Sequence, residues 1–476
     1  MTTTQRAIVK TPRTAWLLLA VAVPLVLQGA KARSEDLPED TRTLTSLSVE
    51  QARALVYETV TPEKEAPCPR RGGRLDLRGL TTLTDDVAAV LSKNDGWLDL
   101  RGVTTLSDEA IAALSRHEDG LDLRGLKALS DRQAALLAAH QDFLRLDGIT
   151  TLSDAQAESF SRQGQFRWLE DVIGSDAPPS AWPTHKRGSL DLNGVVSLTD
   201  RQAELLAKHE GPLSLDGVTA LSDHALQVLV ARKGYLSLKS LVLASEHQAD
   251  LLFRHDGDLS ASPAVLTDAQ AEEASRHEGD LWLWSKSLTT LTDAQAKALS
   301  RRDGNLCLVG VAALTDAQAD ALGSHRGLFL DLGVLETLTP HQAALLAKHE
   351  GFLCLGLRSL TADVARALVA SKASLTFYDV TRLDDEAAEI LATYQGDFLG
   401  LHGLVSLTDH QAAALARYQG GLGLRGLRTL SDAQAESLGS RTGETIFDQD
   451  KNRFTERQID LLKRCPKVWF VREAYD

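Results

Sequence analysis

The sequence lacks the short motifs that usually mark an enzyme. It contains no Gly-x-Ser-x-Gly, His-Glu-x-x-His, P-loop or dinucleotide-binding glycine pattern. It has four cysteines and no Cys-x-x-Cys, so thiol catalysis and a zinc ribbon have no support. Adjacent carboxylates such as Asp85-Asp86 and Asp384-Asp385 begin helices, where they complement the helix dipole. These absences predict a protein that is not an enzyme and carries no cofactor or metal.

Basic residues are also in short supply. The chain has 51 Lys and Arg against 65 Asp and Glu, a net charge of −14. An acidic surface repels the phosphate backbone of nucleic acids and suits anionic lipid headgroups poorly. We therefore expect no nucleic-acid partner.

Long apolar runs are confined to the N-terminus. Arg6, Lys10 and Arg13 precede the run AWLLLAVAVPLVLQGA (15–30), and Ala30-Lys31-Ala32 offers a small-x-small cleavage site. This pattern predicts a signal peptide over 1–32 and an exported protein (periplasmic, cell-surface or secreted), with no membrane insertion after cleavage. An uncleaved N-terminal membrane anchor is the alternative.

What the sequence has in abundance is repetition. Most units begin with Leu-x-Leu, and successive first leucines are mostly 23 residues apart; they lie at Leu75, Leu98, Leu121, Leu144, Leu190, Leu213, Leu236, Leu259, Leu281, Leu306, Leu330, Leu353, Leu375, Leu399 and Leu422, with Ile446 and Val468 as decayed terminal copies. The interval from 144 to 190 is two periods, which assigns a degenerate unit to 167–189. A period this regular predicts a stacked repeat protein.

Each unit reads as a strand, a glycine turn and a short helix. The alternating leucines have the period of a strand. A hydroxyl residue and a glutamine three residues later, as in Ser130/Gln133 and Thr408/Gln411, form a capping box that begins a helix. Neither element buries its apolar face alone, so units must stack. We predict an α/β solenoid with parallel strands on the concave face and short helices on the convex face.

These residues resemble the leucine-rich repeat family, most closely its variants in which LxLxG precedes LTD or LSD and a helix. The resemblance covers roughly residues 75 to 440. The family's turn asparagine is absent, and Gly79, Gly102 and Gly125 occupy the turn instead. The resemblance implies a ligand-binding or scaffolding horseshoe, usually without catalysis.

The predicted organisation follows from the repeat register. Residues 33–74 form an N-terminal capping region that includes the capping pair Ser48/Gln51, 75–443 the repeats, and 444–476 a C-terminal capping repeat. Pro178, Pro179 and Pro183 predict that unit 167–189 keeps its strand, loses its regular helix and is cleaved first by proteases.

Histidines recur near the end of each helix, at His117, His140, His209, His255, His277, His325 and His349. A stacked row of imidazoles can bind zinc or copper. We favour capping of helix carbonyls, because Asn94, Gln163, Tyr394 and Tyr418 fill the same column. Several of these histidines are expected to titrate near neutrality.

Residues between the leucines face away from the core, and their character changes along the chain. Asp76/Arg78, Asp99/Arg101 and Asp122/Arg124 predict a hydrated, self-compensating charge ladder. Four serines follow at Ser214, Ser237, Ser260 and Ser262, and then a set of apolar and aromatic residues. The candidate ligand-binding residues are Trp282, Trp284, Val309, Phe329, Phe352, Tyr378 and His402.

The same outward positions include Cys307 and Cys354. One strand separates them, so their Cα atoms are expected about 9–10 Å apart, beyond disulfide reach. Cys68 and Cys465 lie in opposite caps. The helix after Trp284 begins late, at Thr292, which predicts a longer turn that could form a rim.

The leading functional hypothesis is an exported, non-catalytic protein that binds a protein or a cell-surface glycan through its concave face. One alternative is a structural spacer of the cell envelope or extracellular layer. For the aromatic residues themselves, the alternative to binding is that they pack on edge loops or on each other. A remote alternative is an enzyme whose site lies outside the repeat consensus.

Overall fold

The computed structural model describes residues 37–38, 40–58, 74–163, 188–263, 265–448 and 452–471. The chain divides into two compact units, residues 1–191 and 192–476. The proposed signal peptide, Cys68 and almost all of unit 167–189 lie outside the described residues. No helix within the described residues is long and apolar enough to cross a bilayer.

The first unit alternates short helices with two-residue strands. A 3-10 turn at Thr41–Thr43 precedes the first helix. The helices, α1–α5, are Val49–Glu58, Asp85–Leu91, Asp108–Leu114, Asp131–Leu137 and Asp154–Phe160, and the strands, β1–β5, are Leu75–Asp76, Leu98–Asp99, Leu121–Asp122, Leu144–Arg145 and Leu190–Asp191.

The second unit repeats this alternation with longer strands. Its helices, α6–α17, are Asp200–Leu206, Asp223–Val230, Glu246–Phe253, Asp268–Ala274, Asp293–Leu299, Asp316–Gly323, Pro340–Leu346, Ala362–Leu368, Asp385–Leu391, Asp409–Ala416, Asp432–Gly439 and Glu456–Leu462. Its strands, β6–β19, are Leu213–Ser214, Leu236–Leu238, Leu259–Ala261, Leu281–Leu283, Leu306–Leu308, Phe329–Leu332, Phe352–Leu355, Ser359–Leu360, Ser374–Phe377, Arg382–Leu383, Phe398–Leu401, Gly421–Gly423, Thr445–Asp448 and Val468–Val471. Strands β13 and β15 form a small separate parallel pair.

Within each unit, successive main strands pair in parallel with leucine beside leucine. Leu98 pairs with Leu121 in the first unit, and Leu330 pairs with Leu353 in the second. Strands stack on strands and helices on helices, with the strand leucines and the helix alanines and leucines buried between the two layers. Each buried leucine contributes about 1.5–3 kcal/mol. The predicted leucine-rich-repeat architecture of parallel strands and short helices is confirmed.

The helix-start motif also joins neighbouring repeats. In α10, the Thr292 hydroxyl accepts from the N–H of Gln295 and donates to Asp268 of the preceding helix start at 2.7 Å. The Gln295 side chain accepts from the N–H of Thr292 at 2.8 Å and donates to the carbonyl of Leu266 at 2.6 Å. Each motif residue therefore bonds within its own repeat and to the one before it.

The turn glycine is required by close packing between repeats. A Cβ at Gly102 would overlap the carbonyl oxygens of Arg78 and Leu80. The left-handed backbone region is not involved, because the only positive φ values in the described residues belong to Gly96, Gly188 and Gly234. Glycine at this position lets adjacent turns touch.

Two strand predictions are wrong. Leu144 pairs directly with Leu190, which leaves no place between β4 and β5 for the strand predicted in unit 167–189. The expected first-leucine position of that unit holds Arg167, so the alternating apolar pair is missing. The terminal copy assigned to Ile446 begins one residue earlier: Thr445 pairs with Leu422 and with Val468, which is correctly placed. Thr445 is buried there and its hydroxyl accepts from Arg441 Nε at 2.9 Å.

Candidate functional site

The strand face of the first unit is closed by ion pairs. Asp99 accepts from Arg101 at 2.6 Å and from Arg74 at 2.7 Å, while Asp122 accepts from Arg124 at 2.9 Å. Burial raises the pKa of Asp99, but the arginine hydrogen bonds outweigh it and hold that pKa below its ordinary value. Asp pairs with Arg as predicted, but chiefly with the arginine two residues later in the same repeat and less often diagonally across strands, as in Arg74–Asp99. The expected hydration is wrong for Asp99 and Asp122, which have no exposed surface, whereas the paired arginines and Asp76 keep part of theirs.

Aromatic residues of the first unit were missed by the sequence reasoning. The rings of Trp97 and Phe143 lie 5.0 Å apart, and the guanidinium of Arg145 lies 5.1 Å from the Phe143 ring. Between them, Gly120 leaves room for the Trp97 ring. Their position was readable: the residue before each first leucine shares a face with the two outward residues after it.

The serine stretch of the second unit is largely covered. Ser237 and Ser260 have no exposed surface, and Ser214 is nearly buried. Ser262 donates to the carbonyl of Trp284 at 3.0 Å. These serines therefore form the floor of the face beside the tryptophans.

Trp282, on β9, and Trp284, the residue directly after β9, have different surroundings. Trp282 is half-buried and meets the Tyr235 ring edge-on at 5.8 Å between centroids. Trp284 is 41% exposed, and the ammonium of Lys239 lies 5.0 Å from its ring. The alternative prediction, that the aromatic residues pack on each other, is thus correct for Trp282. Trp284 is the more exposed of the two side chains.

The turn after Trp284 is longer, as predicted. The next helix is capped by Thr292, and Ser285 accepts from the N–H groups of Ser287 and Leu288 at 3.3 and 3.2 Å. The hydroxyl of Ser285 thereby orders the added residues next to the tryptophans.

Further along the face, aromatic residues occur in cross-strand pairs. Phe329 and Phe352 are in register on β11 and β12, with rings 6.2 Å apart, and Tyr378 lies 6.3 Å from His402. All four are half-exposed, as is Val309. Phe329 and Phe352 precede the first leucines of their repeats and are the first residues of β11 and β12. Phe398, also half-exposed at the start of β16, was missed.

A row of polar residues, most of them buried, runs between these aromatic residues. Cys307, Asp331, Cys354 and Thr376 are successive partners across β10, β11, β12 and β14. Both cysteines are free, as predicted, and occupy outward positions, but they are buried. The Cys307 thiol donates to Asp331 at 3.2 Å.

Burial controls the ionisation of this row. It raises the pKa of Asp331 to about 6, against smaller lowering effects of the Cys307 thiol and the Gly333 N–H. It also raises the pKa of Cys354 to about 12 and that of Tyr378 above its ordinary value. Asp331, Cys354 and the neighbouring Tyr378 therefore resist negative charge.

The histidine column bridges repeats where each helix ends and the next strand begins. His117 Nδ1 lies 3.4 Å from the carbonyl oxygen of Ser92, the C-cap of the preceding helix, and His255 Nδ1 lies 2.9 Å from that of Val230, the last residue of α7. Arg441 fills the same position and donates to Tyr418 O at 2.7 Å. His117 and His255 contact helix carbonyls as predicted, although the helix belongs to the preceding repeat, whereas His140 and His349 contact the carbonyl oxygens of Phe143 and His325, which lie outside the helices.

Titration of this column near neutrality is contradicted. Burial lowers the pKa of His140, His277 and His325 to about 4 in each case. These imidazoles are neutral at physiological pH because desolvation penalises the charged form. No cluster of three or more His, Cys, Asp or Glu residues in the described part of the chain could hold a metal ion.

The strand-turn-helix unit, stacked in register, defines a leucine-rich-repeat type of α/β protein. No protein-family model matches the chain, and no curated protein does. Among solved structures it is similar to a leucine-rich-repeat protein of Leptospira interrogans, at 17% identity over 85% of this chain and 96% of that one, with a TM-score of 0.36. It is also similar to an internalin of Listeria monocytogenes, at 12% identity over 81% and 83%, with a TM-score of 0.23.

Proposed function

We propose that this is an exported, non-catalytic repeat protein that binds a protein partner through the strand face of its second unit. The proposed surface, called the aromatic face, comprises Trp282, Trp284, Val309, Phe329, Phe352, Tyr378 and His402. The observation that carries the proposal is that these side chains keep exposed surface on a regular strand face, with ring pairs in adjacent strands. Aromatic residues of this kind dominate the binding energy of protein interfaces.

The strand face of the first unit provides an internal comparison. There the equivalent positions are filled by Asp and Arg, and the carboxylates of Asp99 and Asp122 are satisfied by the chain itself. A surface that satisfies its own charges gains little from a partner. In the aromatic face, the burial of Trp284 alone is expected to contribute about 1–2 kcal/mol.

Export is part of the proposal and depends on the basic, apolar and small-residue pattern of residues 1–32. It is tested by expressing the full-length chain in its own cells and determining the N-terminus of the protein found outside the cytoplasm. An N-terminus near residue 33 supports cleavage. An intact N-terminus in the membrane fraction supports the anchor instead.

The binding site is tested by capture and cross-linking with three proteins: wild type, the double variant Trp282→Ser/Trp284→Ser, and Trp469→Ser. Trp469 is the matched control, because it is 43% exposed but lies on β19, outside the aromatic face. We expect a partner retained by wild type and Trp469→Ser and lost by the double variant. Equal capture by all three contradicts the proposal and favours a spacer. Capture that survives protease treatment of the extract but not glycosidase treatment indicates a glycan.

A further inference from the structure

The carboxylates directly after the first leucines of the repeats each form an ion pair with an arginine, with one exception. Asp76, Asp99 and Asp122 each pair with the arginine two residues later, at 2.7, 2.6 and 2.9 Å, and Asp191 pairs with Arg145 at 3.2 Å. Asp331 occupies the same position on β11. Among the described residues, no Lys, Arg or His forms an ion pair with it.

The surroundings of Asp331 make the missing cation costly. Oδ2 of Asp331 accepts a hydrogen bond from the Cys307 thiol. Oδ1 of Asp331 is buried without a hydrogen bond of normal geometry in the described part of the chain. Buried carboxylates are ordinarily paired or fully hydrogen-bonded. Cys354, on the next strand, offers no positive charge.

The position that holds the pairing arginine in the first unit is a glycine in the repeat of Asp331. Two residues after Asp331, at the position of Arg78, Arg101 and Arg124, the chain has Gly333. A Cβ there would lie 3.0 Å from Oδ1 of Asp331 and 3.5 Å from the Tyr378 ring. On the neighbouring strands the same position holds Val309 and Gly356, which supply no charge either.

We propose that Asp331 receives the guanidinium of an arginine side chain from the protein partner, between the Phe329–Phe352 pair and Tyr378. The proposal rests on the aromatic face being the binding surface. A partner arginine here reproduces from outside the contact that Arg101 makes with Asp99 from within.

Arginine fits this place better than a neutral group or a lysine. Its planar guanidinium pairs with carboxylates and stacks on aromatic rings, both of which are present. It is also less strongly hydrated than an ammonium, which favours its transfer to a partly apolar surface. The net charge of −14 favours approach of a basic segment.

The probe is the peptide acetyl-Gly-Arg-Gly-amide, with the citrulline peptide as a neutral control of equal shape and the lysine peptide as a cationic control. Saturation-transfer NMR detects the weak binding expected of one residue. We expect the arginine peptide to give a signal roughly fivefold or more above either control. The signal should fall between about pH 7.5 and about pH 5, because protonation removes the carboxylate charge.

Three variants locate the contact. Asp331→Asn removes the charge, and Gly333→Arg places a guanidinium where the first unit has one, so both should abolish the signal. Asp379→Asn removes an equal charge from an exposed neighbour and should leave it unchanged. Thermal unfolding of each protein verifies that it is folded, and the two inactivating variants act by unrelated routes.

An equal signal for the arginine and citrulline peptides, or a signal retained in both Asp331→Asn and Gly333→Arg, overturns the inference. An equal signal for lysine overturns the preference for guanidinium. Failure here is distinguishable from failure of the proposed function. If Trp282→Ser/Trp284→Ser abolishes partner capture while Asp331→Asn does not, the aromatic face binds without the arginine contact.

Discussion

The side-chain amide of Gln295 donates to the carbonyl oxygen of Leu266 in the preceding repeat at 2.6 Å. The same side chain accepts from the N–H of Thr292 in its own repeat at 2.8 Å. A capping box tolerates Glu or Gln, because only an acceptor is needed. The bond to the preceding repeat needs a donor as well, which explains the preference for glutamine at this position.

Gln295→Glu should therefore destabilise the second unit. The variant keeps the cap but sets a carboxylate oxygen against the buried carbonyl of Leu266, at an expected loss of about 1–3 kcal/mol. Chemical denaturation measures the change. Gln227→Glu, on the exposed side of helix α7, is the control and should have little effect. Equal changes in the two variants contradict the bridging role.

Arg101 holds the charge ladder of the first unit together. It donates to Asp99 at 2.6 Å and lies 3.9 Å from Asp122, and both carboxylates are fully buried. Arg101→Ala should destabilise the first unit, but by less than the roughly 3–5 kcal/mol expected when a buried charge loses its only partner, because Arg74 still pairs with Asp99.

A second substitution tests this account. Asp99→Asn added to Arg101→Ala removes the buried charge and should recover part of the lost stability. If the double variant is as unstable as the sum of the single variants, the two side chains are not coupled.

The repeat register made most of this fold predictable, because the positions of Leu, Gly, Ser/Thr and Gln recur with one period. The pairing across unit 167–189 was not predictable from spacing alone. An interval of two periods between Leu144 and Leu190 is equally consistent with an intervening strand and with the direct pairing that the structure has. Thr445 was missed because a buried hydroxyl replaced an apolar residue.

The candidate site was predictable only as a list of outward positions. Alternation along a strand assigned Trp284 and Tyr378 to one face, but it gives no measure of burial. Cys307 faces outward and is nonetheless buried, and Oδ1 of the outward-facing Asp331 is buried as well. Which neighbours cover these groups depends on tertiary packing. The absence of an arginine beside Asp331 becomes meaningful once the Asp99–Arg101 pairing is known.

The buried histidines should make the protein sensitive to acid. The folded-state pKa of His140, His277 and His325 is about 4, below the ordinary value of 6.5. The unfolded chain binds these protons first, so stability is lost as pH falls from about 6.5 toward 4, by about 1.4 kcal/mol per pKa unit for each group. Urea midpoints at a series of pH values measure the loss.

A single variant isolates the contribution of one histidine. His140→Gln introduces the residue found one repeat later, where Gln163 donates to the carbonyl of Asp142 at 2.9 Å. The pH dependence of unfolding should become shallower in His140→Gln. The control for the substitution itself is His247→Gln, at an exposed histidine. An unchanged slope in His140→Gln excludes this histidine as the cause.

Substitution of the two tryptophans of the aromatic face should lower the stability of the protein by different amounts. Trp284 is 41% exposed, so Trp284→Ser should lower the melting temperature by about 2 °C or less. Trp282 packs against Tyr235, and Trp282→Ser should cost more, about 1–3 kcal/mol. A large loss of stability in Trp284→Ser would place this residue in the core and remove it from the proposed binding surface.

Asp331→Asn should stabilise the free protein at neutral pH. Burial raises the folded-state pKa of Asp331 to about 6, so the folded chain binds this proton more tightly than the unfolded chain does. The favourable contribution of the protonated carboxyl is fully present below about pH 4 and is lost as pH rises through 6. The variant should gain roughly 1–3 kcal/mol over wild type at about pH 7.5 and little at about pH 4. Asp379→Asn, made at an exposed aspartate, should give no such pH-dependent difference. If Asp331→Asn is no more stable than wild type at neutral pH, the carboxylate is already compensated within the chain, and a partner cation is not needed to neutralise it.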